Sequence, residues 1–74
     1  MSEKTLNKIR REAGKLLAIG FPFHADLLLN GIDNGTVAST VERVAIMLEK
    51  GKRFAEAKHL RDVARAPNRD KIEA

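Results

Sequence analysis

Apolar residues recur three and four positions apart along most of this chain, and that spacing constrains the fold more than any other feature. Leu6, Ile9, Ala13, Leu16 and Leu17 form one such series, and Val41, Val44, Met47 and Leu48 another. Residues so spaced fall on one face of an α-helix, whereas a strand would need strict alternation. Glycine and proline cut the pattern into pieces. The chain therefore reads as all-α, with four short helices arranged as two αα-hairpins over residues 3–19, 22–30, 36–50 and 53–65.

Local signals mark the ends. Ser2 is a candidate N-cap. Gly20 and Gly51 follow the last apolar positions of the first and third helices and are expected to close them with positive φ. Pro22 suits the first turn of the second helix, where its missing N–H would have had no partner. Phe23, Leu27 and Leu28 follow along one face of that helix. Asn30-Gly31 is expected to end it, and Ile32-Asp33-Asn34-Gly35 reads as a loop. Ser39-Thr40-Val41-Glu42 matches the capping box of a helix N-terminus, although a start at Thr36 stays open. Phe54, Ala57, Leu60, Val63 and Ala64 supply a buried face for the fourth helix, and Ala66-Pro67-Asn68 reads as its stop. Residues 1–66 would form one helical domain, with a frayed, charged tail over 67–74.

The halves repeat at an offset of 31. Leu16-Leu17-x-x-Gly20-x-x-Phe23 aligns with Met47-Leu48-x-x-Gly51-x-x-Phe54, and Leu29 aligns with Leu60. Each half is helix, glycine, helix, and each phenylalanine is expected to pack back onto the preceding helix. The second copy, residues 45–68, resembles a tetratricopeptide helix pair. Ala45, Leu48, Gly51, Phe54, Ala57 and Pro67 would take that family's small, leucine, glycine, aromatic, alanine and closing-proline roles. The aromatic falls one residue late, and the period is short of the family's usual ~34. Two hairpins are too few for a solenoid. They must close on each other or bury their free faces against a second copy.

Length sharpens that demand. A chain of 74 residues has a thin stability margin, and with no cysteine it has no disulfide or thiolate metal site to widen it. Absence of cysteine fits a reducing compartment. No apolar run approaches the ~20 residues of a membrane span, and Met1–Arg11 lacks the apolar core of a secretory signal. The expected location is the cytoplasm, without membrane partners.

No constellation for catalysis is visible. His24 and His59 lack a second histidine three or four residues away, no serine sits in a nucleophile elbow, and no glycine pattern suits a phosphate loop. A non-enzyme without cofactor or metal is expected. The net charge of +4 is divided: residues 1–15 carry +3, 16–42 carry −3 and 43–74 carry +4. Lys4, Lys8, Arg11 and Lys15 make one basic stripe, and Lys58, Arg61 and Arg65 another. Such stripes contact an acidic partner, line phosphates, or remain a solvated face. A helix-turn-helix built around Gly31 would offer only Arg43 as a basic group, which argues against base reading. Phe21, Leu29, Ile32, Val37 and Ile46 lie off the simplest core stripes and are candidate interface residues. The reading is a small adaptor, inhibitor or regulator acting by protein–protein binding and expected to form a homodimer. The alternative is a nucleic-acid-associated, transcriptional regulator using the basic faces.

Overall fold

Four helices make up the fold: α1 (Glu3–Ala18), α2 (Pro22–Asn34), α3 (Val37–Lys50) and α4 (Phe54–Glu73). The computed structural model describes the backbone of residues 2–73 and the side chains of residues 2–65. The fold is all-α, and no strand occurs among the described residues. Ser2 caps α1 by accepting the Thr5 N–H at 3.2 Å. Pro22 opens α2 as its first residue.

All three connections close by the same device. A left-handed residue follows the helix, and the amide after it reaches back five residues. Gly20 (φ 94) lets the Phe21 N–H donate to the Leu16 carbonyl at 2.8 Å. Gly35 (φ 73) lets Thr36 reach the Gly31 carbonyl at 2.9 Å. Lys52 (φ 63) lets Arg53 reach the Leu48 carbonyl at 2.8 Å. These are Schellman closures, which satisfy carbonyls that the helix leaves unpaired.

The expected boundaries change in four places. Helix α2 does not stop at Asn30-Gly31 but runs on to Asn34, through most of the expected loop. Gly31 is helical and buried because α2 and α3 cross there: a Cβ on it would lie 2.6 Å from Thr40 Oγ1. The Ser39 capping box does not form. Helix α3 starts at Val37, held by burial of that side chain, and Ser39 Oγ donates to the Thr36 carbonyl instead. Gly51 has φ −86, and the left-handed position falls on Lys52. The α4 backbone continues past Ala66-Pro67-Asn68 to Glu73. Pro67 removes one donor from that helix without ending it. Of the tail expected to fray over 67–74, the side chains and Ala74 lie outside the described residues.

Helices α1 and α2 pack as one hairpin and α3 and α4 as the other. The hairpins then close on each other through α2 against α3 and α1 against α4. Exchanging the two hairpins leaves this pattern of contacts unchanged. The core shows the same relation at an offset of 32. Thr5, Ile9, Ala13 and Leu16 are buried on α1, and Val37, Val41, Ala45 and Leu48 on α3; Ala25 and Leu28 on α2 match Ala57 and Leu60 on α4.

That offset corrects the repeat of 31. One residue of difference rotates a helix by about 100°. Phe54 therefore corresponds to Pro22, not Phe23, and lies at 62% exposure; Phe23 and Leu17 are exposed as well. The core is left to aliphatic side chains and alanine.

Candidate interaction site

The two seams that join the hairpins differ in filling. Between α1 and α4 lies a groove of about 420 Å³. Leu16, Leu48 and Leu60 form its floor, and Ile19 and Ala55 line its mouth. Helical spacing puts Leu16 and Ile19 on one wall, and the i, i+4 pairs Ala55/His59 and Glu56/Leu60 on the other. The rim is polar. Glu12, with only 12% of its side chain exposed, receives Lys15 Nζ on Oε2 at 3.2 Å. His59 Nε2 lies 3.2 Å from the same oxygen and ties α4 to α1 across the seam. Glu56 faces the groove as well and takes Arg53 Nη1 at 3.3 Å.

The offset of 32 gives this seam a counterpart. Glu12 corresponds to Val44, Lys15 to Met47, Ala55 to Phe23 and His59 to Leu27. The α2–α3 seam thus carries four apolar side chains where the α1–α4 seam carries three polar ones and an alanine. Val44 is fully buried, and Leu27 packs against the core. The groove is the place where the fold's own pattern leaves an apolar seat unfilled.

Both hairpin turns lie at this end of the molecule, because each joins an outgoing to a returning helix. The Arg53 guanidinium stacks 5.3 Å above the Phe21 ring and links them. The His24 ring meets Phe21 edge-on at 5.0 Å and Phe23 at 6.3 Å. Leu17, Ile19, Phe23 and Phe54 are exposed here, so the groove opens onto an apolar end.

Arg61 has a different setting from its expected place in a basic stripe. It reaches from α4 to α3 and donates to Glu42 at 2.8 and 3.1 Å and to Glu49 at 2.7 and 3.2 Å. Its hydrogen bonds hold both carboxyls below the ordinary glutamate value of 4.5, and the carboxylates raise Arg61 in return. This cluster fastens α3 to α4. The pairing was hidden in the sequence because Glu42 and Glu49 meet Arg61 only once the hairpin register is set.

Of the first stripe, Lys4 and Arg11 are exposed and Lys8 half-buried; none makes an ion pair with a described residue. Lys15 is drawn to Glu12. Lys58 and Arg65 are exposed, and Arg65 adds its field at Glu42. Of the apolar candidates, Val37 is buried, and Phe21 and Ile32 pack against the core. These three serve the fold, because each helix of the closed array packs against two others rather than one. Leu29 and Ile46 remain exposed. Ile46 sits in a more open hollow along α3 alone, beside Arg43 and Lys50. The sequence reading missed Glu12, Ala55 and His59 as neighbours. A core offset of 32 was the signal that could have found them.

No protein-family model, curated protein or solved structure matches this chain. Among the described residues, no group of three or more His, Asp or Glu side chains is placed to hold a metal ion. No helix among them is long and apolar enough to cross a membrane.

Proposed function

We propose that this chain is a small, non-catalytic cytoplasmic adaptor, inhibitor or regulator that works by protein–protein contact through the α1–α4 groove. The observation that carries the reading is the unfilled apolar seat, about 420 Å³ in volume and open to an apolar end. Apolar grooves between helices accept the apolar side chains of a docking segment, and exposed apolar patches mark interfaces. The tetratricopeptide-like character of the α3–α4 pair belongs to the same proposal, since such pairs serve as scaffolds for binding. The test compares proteins captured from host cells by the wild-type chain and by Ala55→Glu. Ala55 is exposed, and an acid in the first turn of a helix is tolerated. A partner held by the wild type and lost from Ala55→Glu supports the reading; partners indifferent to Ala55→Glu remove it.

A second reading rests on Lys4, Lys8 and Arg11, whose charges no described acid takes up. It makes the chain a nucleic-acid-associated regulator. Affinity for nonspecific duplex DNA that falls steeply with salt, and is weakened by Lys4→Glu with Lys8→Glu, supports it. No binding at low salt excludes it.

A further inference from the structure

What the groove lacks can be read from its counterpart. Ala55 stands where α2 carries Phe23, and Glu12 and His59 stand where the other seam carries Val44 and Leu27. Phe23 is itself 63% exposed at the mouth of its seam, so what the α1–α4 groove lacks is cover for Leu16, Leu48 and Leu60, and an occupant must bring an apolar side chain to the mouth, between Ile19 and Ala55.

The chain displays such a side chain at the same place. Phe54 adjoins Ala55 and is 62% exposed. A projecting side chain beside a vacant seat makes a surface complementary to itself, which is the requirement for a two-fold contact between identical chains. The rim charges agree. Glu12 and Glu56 alternate with Lys15 and Arg53, so the rim has no excess of either sign to repel its own copy. A strongly acidic or basic partner would find no net attraction there.

We propose that a second copy of this chain fills the α1–α4 groove, with Phe54 of each protomer seated between Ile19 and Ala55 of the other. The proposal rests on the reading of the groove as the binding site and names its occupant. Self-association and capture of another protein then compete for one surface, so the dimer is the resting form of the regulator.

Sedimentation of the full chain at micromolar concentration tests this. The wild type is expected at twice the chain mass. Phe54→Ser and Ala55→Glu each weaken self-association by about tenfold or more while leaving the helical signal intact, both sites being exposed. A wild type that stays monomeric to millimolar concentration overturns the proposal. So does a dimer that ignores both substitutions, or one dispersed instead by Leu29→Ser with Ile46→Ser. An anilinonaphthalene sulfonate dye reads the groove independently. Dye bound by a monomeric wild type and lost in Ala55→Glu removes the second copy but keeps the groove as a binding site. Absence of both dye binding and self-association removes both.

Discussion

Gly31 on α2 lies so close to Thr40 on α3 that an added Cβ would come within 2.6 Å of Thr40 Oγ1 and 2.7 Å of Thr40 Cβ. The crossing of these helices is set by the absence of a side chain. The helical propensity that glycine forgoes, about 1 kcal/mol relative to alanine, is outweighed by that approach.

Gly31→Ala should therefore destabilise the fold by about 1–3 kcal/mol, the usual range for overpacking a tight contact. Propensity alone predicts the opposite sign. Thr40→Ala should not rescue it, because the Thr40 Cβ is already too near. Denaturant unfolding of the two single variants and the double variant measures this. A stabilised Gly31→Ala would mean that the crossing is looser than described.

The turn residues give a three-way comparison. Gly20→Ala places a Cβ at φ 94 and should lower stability by about 1–2 kcal/mol. Gly51→Ala should be close to neutral, since Gly51 has φ −86 and its nearest atoms lie at 3.5 Å or more. Lys52→Gly should raise stability by about 1 kcal/mol, because it relieves a lysine held at φ 63. In a domain of this size each kcal/mol shifts the melting temperature by about 4–8 °C. A large loss in Gly51→Ala would return the left-handed position to Gly51.

The Arg61 cluster predicts an acid-side loss of stability. Glu42 and Glu49 have folded pKa values below their unfolded ones, so their contribution is complete above the ordinary value of 4.5 and disappears as pH falls through the lowered folded values. In Arg61→Gln the depression is removed. The wild type should melt above the variant at neutral pH, and the gap should narrow as pH drops below about 4.5. A gap independent of pH would show that Arg61 acts through packing alone.

The unfilled seam can be filled by design. Glu12→Val with His59→Leu gives the α1–α4 seam, at two of its four differing positions, the residues that the α2–α3 seam carries. The double variant should gain roughly 1–2 kcal/mol from apolar area removed from water. Glu12→Val alone should gain less, since it strips Lys15 and His59 of their acceptor. Thermal melts of the three proteins decide the matter. No gain in the double variant would mean that the two seams are not equivalent.

The sequence by itself determined the helices and their pairing. The spacing of Ile9, Ala13 and Leu16 requires a helix whatever surrounds it, because 3.6 residues per turn put them on one face. Ser2 acts through its hydroxyl on the nearby Thr5 amide, and Gly20 and Pro22 act through their backbone conformation, so none of them needs a distant partner. Tertiary structure decided the rest. Asn30-Gly31 carries a local signal for a turn, but Gly31 stays helical because Thr40 needs its space. Gly51 was the natural left-handed residue, yet the core register of 32 hands that role to Lys52 and turns Phe54 outward. Arg61 was one of several basic side chains until the α3–α4 register set it against Glu42 and Glu49. The groove is least legible of all. It is a difference between two seams, and a seam exists only once the hairpins have closed on each other.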